Sequence, residues 1–362
     1  EAKGFKDAVL LGMGGSSLGP EVIARILGSA KGSPKLHVLD TSDPGQIATV
    51  AAAIDPANTL FIISSKSGST MEPELLRAYF YAAAGQDGSH FVAVTDPGSK
   101  LDQTAKADGF AHIFAGDPAI GGRYSVLSAF GMVPAAAMGI DIQDFYEKTQ
   151  PMVFACGADS PPAANPGVRL GVIIGEAAIG GRDKLTILAS KGLEPFGAWL
   201  EQLLAESTGK KGKGIIPVDL EPAGPPEVYG SDRLFVHLPL EGDAEDGLDS
   251  KLAQLKQAGH PLIRITVASR DLIGQEFFRW EIATAIASAV IGINPFDQPD
   301  VEDAKIATRE LVDAYEASSA LEPEIAIAED ADLAIYAAGE SGFGSGDPVN
   351  LLRLHFARLK PG

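Results

Sequence analysis

The stretch LFIISSKSGST (residues 60–70) turns from apolar to hydroxyl-rich at Ser64. Its first half reads as a buried strand. Its second half places Ser64, Ser65, Lys66, Ser67, Gly68, Ser69 and Thr70 directly before a helical pattern, EPELLRAYF. Hydroxyls, backbone N–H groups and one lysine at a helix N-terminus match what a phosphate dianion needs. The plain alternative is a serine-rich loop that caps the helix. The rest of the chain decides between them.

The same alternation runs through the first 140 residues. DAVLLGM (7–13), KLHVLD (35–40), TLFIISS (59–65), HFVAVTD (90–96) and AHIFAG (111–116) read as strands. PEVIARILGS, GQIATVAAAI, EPELLRAYFYAAAG and SKLDQTAKADG read as the helices between them. Continuous apolar strands that alternate with helices predict an α/β fold with a parallel sheet covered on both faces. Ligands in such sheets sit at the carboxyl ends of the strands.

A second pass of the same plan starts near residue 165, after a linker, CGADSPPAANPG (156–167). It contains strands KLTILAS, GIIPVDL, RLFVHLPL and LIRITVA, and helices LGVIIGEAAIGG, FGAWLEQLLAES and IGQEFFRWEIATAIASAVIGI. The domains expected are 1–155, 165–293 and a helical C-terminal segment, 294–362.

The 362 residues are 45% hydrophobic and 21% charged, which suits a folded protein with a full core. A net charge of −19 argues against nucleic acid or an anionic membrane surface as partner. An anionic metabolite would also be repelled at long range, so a phosphate site must be built locally. One cysteine, Cys156, excludes an intramolecular disulfide and fits a reducing compartment. Six scattered histidines offer no metal-binding spacing. No apolar run reaches 18 residues, so no membrane helix is expected. The start, EAKGFKDAVLLGM, has no initiating Met and no signal sequence, and reads as a fragment of a longer polypeptide or a trimmed chain.

Four further stretches carry candidate chemistry. GMGGSSLGPEV (12–22) follows the first strand. It has Ser17 where a dinucleotide fingerprint needs glycine and Pro20 where a P-loop needs lysine, so it fits neither nucleotide motif. It remains a glycine turn with Ser16 near a helix N-terminus. IGGRYSVLSAFG (120–131) sets Gly121 and Gly122 before Arg123, a rigid donor fork. AWLEQLLAESTGKKGKG (198–214) places Glu206 in the last turn of a helix, where a carboxylate opposes the helix dipole. Glu201, five residues earlier, falls on another face. INPFDQPDVEDAK (293–305) joins Asn-Pro and Gln-Pro turns to Lys305 on a following helix. For each, the alternative is a purely structural turn, salt bridge or solvated helix end.

Together GMGGSSLGP, SSKSGST, GGRYSVLSAFG, AESTGK and NPFDQPDVEDAK resemble, in order, the phosphoglucose isomerase family. SKSGST alone marks any sugar isomerase (SIS) domain. The resemblance covers roughly residues 8 to 310 and is closest to the isomerase half of bifunctional transaldolase/glucose-6-phosphate isomerase proteins. It implies two SIS domains, each a flavodoxin-like parallel sheet between helices, and interconversion of glucose 6-phosphate and fructose 6-phosphate without metal or cofactor. It places Gly15, Ser16, Ser65, Lys66, Ser67 and Thr70 on the sugar phosphate, with Pro73 where the family has one more threonine. It makes Glu206 the base, Arg123 the group that stabilises the enediolate, Gly122 and Gln298 sugar contacts, and Lys305 a ring-opening residue. Arg233 stands where the family has a catalytic histidine, and arginine cannot donate a proton near neutral pH. His260 is then a substitute candidate. The resemblance also implies a homodimer, a cytoplasmic location and a fused transaldolase domain. Two other readings are a non-catalytic phosphosugar-sensing SIS module and an isomerase that also accepts mannose 6-phosphate.

Overall fold

Strands β1 (Asp7–Gly12) and β3 (Thr59–Ser64) are buried at every residue, the cause of their unbroken apolar runs. With β2 (Lys35–Leu39), β4 (Phe91–Thr95) and β5 (His112–Ala115) they form a parallel sheet in the order β2-β1-β3-β4-β5. The register pairs Leu11 with Leu39 on one side and with Ile63 on the other. Helices α1 (Leu18–Leu27), α2 (Pro44–Ala53), α3 (Met71–Ala83) and α4 (Lys100–Ala107) make the crossovers. The chain reverses its direction of travel across the sheet between β1 and β3. That switch point leaves a crevice beyond their carboxyl ends. Both glycine- and serine-rich loops open there.

Helices α5 (Ala129–Ala137), α6 (Ile142–Ala155) and α7 (Pro166–Ile179) lead to the second sheet. α7 begins inside the expected linker, because Asn165 caps it by accepting from the Val168 N–H at 3.0 Å and Pro166 pre-sets its first turn. The second sheet contains β6 (Lys184–Ala189), β7 (Ile216–Val218), β8 (Arg233–Leu238) and β9 (Leu262–Arg264), all parallel, in the order β7-β6-β8-β9. This repeats the first four positions of the first sheet. Helices α8 (Phe196–Thr208), α9 (Leu248–Gln257) and α10 (Ile273–Ile291) accompany it. α10 lies tightly on α7: a Cβ on Gly171 would stand 2.5 Å from the Ala283 carbonyl, and one on Gly175 2.7 Å from Val290 Cβ. Phe196 and Trp199 stack at 5.3 Å, and Phe277 meets both edge-on at 5.3 and 4.8 Å.

The computed structural model describes residues 2–244, 247–321, 323–337 and 346–359. The chain divides into two units, Glu1–Asp297 and Gln298–Gly362. The second unit contains α11 (Pro299–Ser318) and α12 (Pro348–Phe356). It also has two antiparallel two-residue strands, β10 (Ala328–Glu329) and β11 (Ala334–Ile335). Among the described residues, no helix is long and apolar enough to cross a membrane.

Candidate active site

Three segments converge at the switch point. The loop after β1 turns at Gly14, whose φ of +56° lies in the left-handed region that glycine adopts without strain. A Cβ on Gly15 would stand 2.2 Å from the Gly122 carbonyl oxygen, and one on Gly14 2.9 Å from Gln202 Nε2. The loop therefore lies directly against the Gly122–Arg123 backbone and against α8. Ser64 Oγ donates to the Ser16 carbonyl at 2.9 Å, which ties the end of β3 to this loop. Gly15→Ala forces a methyl into backbone atoms that cannot yield. It is expected to raise KM for a phosphosugar about tenfold or more, because a displacement near 1 Å costs up to about 10²-fold. Steady-state kinetics with fructose 6-phosphate as substrate checks this, and an unchanged KM would remove Gly15 from the phosphate site.

The loop after β3 is braced from β4. Thr95 Oγ1 donates to the Ser65 carbonyl at 2.6 Å. Ser65 Oγ is buried and has no hydrogen-bond partner among the described residues. Ser67 is exposed and shares a 3.0 Å hydrogen bond with Ser69. Lys66, assigned to the phosphate by resemblance, is already engaged: its Nζ donates to Asp96 Oδ2 at 2.7 Å and to the Asp117 carbonyl at 3.0 Å. The crevice therefore gains little net charge from it.

The donors left open are neutral. At the same sheet edge, α2 is capped by Asp43 and α4 by Ser99. The helices that follow the two loops, α1 and α3, have no side-chain cap hydrogen bond. Thr70 occupies the cap position of α3 without closing it. Two helix N-termini without a side-chain cap form a setting for an anion.

Beside the loops lies a buried arginine. Arg123 is 5% exposed. It donates from one terminal nitrogen to Ser207 Oγ (2.8 Å) and the Pro295 carbonyl (2.9 Å), and from the other to the Asp297 carbonyl (3.2 Å). Its Nε stands 3.3 Å from Glu206 Oε1. Gln202, one helical turn before Glu206, donates to Glu206 Oε2 at 3.2 Å. The Glu206 side chain is 27% exposed, so the carboxylate is held from behind by two donors and open in front. The Tyr124 hydroxyl donates to Ser207 Oγ at 3.3 Å, and burial pushes its pKa up. Its ring packs on Phe296 at 5.1 Å. Glu201 points elsewhere, into a separate cavity of about 880 Å³ that it shares with Asp183 and Lys213.

Among the sequence candidates, Gly15, Ser16, Gly122, Arg123 and Glu206 come together here. Ser65, Lys66, Ser67 and Thr70 follow the neighbouring strand. His260 lies just before β9, at the amino-terminal edge of the second sheet, with Nε2 3.4 Å from the Pro226 carbonyl and its ring 5.5 Å from Phe235. Arg233 opens β8 and is bound to Glu221 at 2.7 Å and Thr186 at 2.8 Å. It is a structural ion pair at that same edge. Gln298 is exposed and belongs to the second unit. Lys305 lies on α11, and its side chain falls outside the described residues. Sequence reasoning missed Gln202, Ser207 and Lys210. The helical period places Gln202 one turn from Glu206 and could have found it. Lys210 is hidden in the lysine run GKKGKG, which reads as solvated.

The chain matches the phosphoglucose isomerase family over residues 1–216. It is 30% identical over 360 residues to a glucose-6-phosphate isomerase of Rubrobacter xylanophilus, covering 84% of this chain and 82% of that protein. It is equally identical over 351 residues to a glucose-6-phosphate isomerase of Parasynechococcus marenigrum, but spans only 63% of that protein's length against 85% of its own. A solved glucose-6-phosphate isomerase of Chlamydia trachomatis shares the fold, with a TM-score of 0.71 at 22% identity over 87% of this chain and 71% of that one. The matched region takes in the β1 and β3 loops, Arg123 and Glu206, and by its extent the chain belongs to the phosphoglucose isomerase family.

Proposed function

We propose that this chain interconverts D-glucose 6-phosphate and D-fructose 6-phosphate by proton transfer through a cis-enediolate. The observation that carries the reading is the Glu206–Arg123 pair, 3.3 Å apart, set against a glycine loop at the switch point of a parallel sheet. In the open-chain aldose, Glu206 takes the proton from C2. The C2 electron pair moves into a C1–C2 double bond, and negative charge develops on the substrate oxygens. Arg123 Nε, carried on a buried and fixed guanidinium, stabilises that charge, and a preorganised donor is worth most there. The hydroxyl proton on O2 passes to O1, and Glu206 then returns its proton to C1 as the C1–C2 double bond gives way to a C2–O2 carbonyl, which yields the ketose. No electrons leave the substrate.

The loops after β1 and β3 hold the phosphate through Ser16, Ser65, Ser67, Thr70 and backbone N–H groups. Binding energy at this unreactive end fixes C1 and C2 against one carboxylate. The family resemblance assigns ring opening to Lys305 and sugar contact to Gln298. His260 is given no step, since its ring nitrogen faces the Pro226 carbonyl. The test is conversion of fructose 6-phosphate by the chain, read by coupling glucose 6-phosphate formation to NADPH. No turnover with substrate still bound would instead support a sensing module.

The same reading extends to a homodimer, a reducing cytoplasmic compartment and fusion to a transaldolase domain. The single cysteine supports the compartment, and the family resemblance supports the other two. Light scattering that returned the mass of one subunit at assay concentration would overturn the dimer.

A further inference from the structure

Lys210 lies two residues beyond α8 and four beyond Glu206, and its side chain is only 4% exposed. Its backbone is fixed: the Lys210 N–H donates to the Thr208 carbonyl at 2.9 Å, and Lys210 and Lys213 exchange two 3.1 Å hydrogen bonds. Its Nζ donates to the Asn294 carbonyl (2.8 Å), the Asp297 carbonyl (2.5 Å) and Asp297 Oδ1 (2.7 Å). All three acceptors belong to the four-residue loop Asn294–Asp297. Arg123 grips the same loop, through the Pro295 and Asp297 carbonyls. Two cations thus share one carbonyl oxygen. Lys210 also donates to the Asp297 carboxylate, which accepts from Asn294 Nδ2 at 3.3 Å as well.

We infer that Lys210 is a positioning residue that occupies the Asp297 carboxylate and so keeps Arg123 turned toward Glu206 and the reacting sugar. This rests on the isomerase reading above. With its three donors spent on the loop, Lys210 has none for substrate. Its effect comes from preventing a competing pair. A guanidinium and a carboxylate form a strong two-pronged contact. If Lys210 is removed, Asp297 offers such a partner to an arginine that already bonds to its backbone. Arg123 then turns its fork to Asp297 and withdraws Nε from Glu206.

The experiment is Lys210→Met, alone and with Asp297→Asn. K210M is expected to lower kcat about 10–10²-fold with KM within about threefold, the size of effect that misplacing a catalytic group by about 1 Å produces. K210M/D297N is expected to regain most of that loss, because the competing carboxylate is gone. A role limited to bracing the loop predicts no recovery, since the carbonyls lose their donor in both variants. The second readout is the ¹⁵Nε–¹Hε resonance of Arg123, identified with R123K. It should move in K210M and return in the double variant. Where K210M does not fold, Lys210→Gln still donates to the carbonyls without neutralising Asp297 and should show the same loss, relieved by D297N. A double variant no better than the single one, or an unmoved resonance, overturns the inference. Absence of isomerase activity in the parent would sink the functional reading alone, because the resonance still reports which partner Arg123 takes.

Discussion

Glu206→Gln is expected to lower kcat for fructose 6-phosphate about 10²–10⁴-fold, the contribution of a positioned general base, with KM changed by no more than a few-fold. The amide fills the same space and can still face Gln202 and Arg123, but it cannot accept a proton from carbon. Substrate affinity is carried by the loops after β1 and β3, which the substitution does not touch. Some stability is lost as well. Arg123 is nearly sealed from water and loses its carboxylate partner, yet it keeps Ser207 and two loop carbonyls as acceptors. The cost should be about 1–2 kcal/mol, below the 3–5 kcal/mol of a fully buried broken pair, since Glu206 is 27% exposed. The coupled NADPH assay and a urea melt measure both effects. A variant as active as the parent would show that another group moves the proton. A variant that loses binding with turnover would show that Glu206 holds substrate.

Arg123→Lys should be the second most damaging change, and its signature differs. Among the described residues the guanidinium reaches acceptors on two sides, with Ser207 and Pro295 bound from one nitrogen, Asp297 from another and Glu206 from Nε. An ammonium is a single point and cannot span them. The charge survives but its aim does not, so kcat should fall about 10²–10³-fold, as when one donor to a developing oxyanion is lost. Stability should fall by about 2–4 kcal/mol, because buried carbonyls are left without donors. Kinetics and a urea melt on one preparation separate the two. A stable variant with parental kcat would make Arg123 a brace for the 294–297 loop and no part of the chemistry.

These two residues also mark how far the chain alone can be read. β1 and β3 are legible because sheets covered on both faces demand unbroken apolar runs, a requirement met by adjacent residues. The hydroxyl-rich loops are legible because each immediately follows such a run. α8 is legible from its period, and with it the place of Glu206 in the last turn before Gly209. Motif resemblance, not periodicity, singled out Arg123 and Glu206 from other charged residues. What the sequence by itself determined is therefore the class of fold, the two passes of βα units and the loops that face one crevice.

Tertiary structure alone decided the pairings. Lys66 meets Asp96 thirty residues on, and Arg123 meets Asp297 at a separation of 174 residues. It also decided the strand order, the close seating of α7 on α10, the burial of Lys210 and the place of His260 at the amino-terminal edge of the second sheet. The reason is physical. A strand or helix is selected by the spacing of neighbours along the chain, which the sequence displays. The partner of a charge is selected by which distant loops the topology brings to the same edge, and nothing near that charge in the sequence records it.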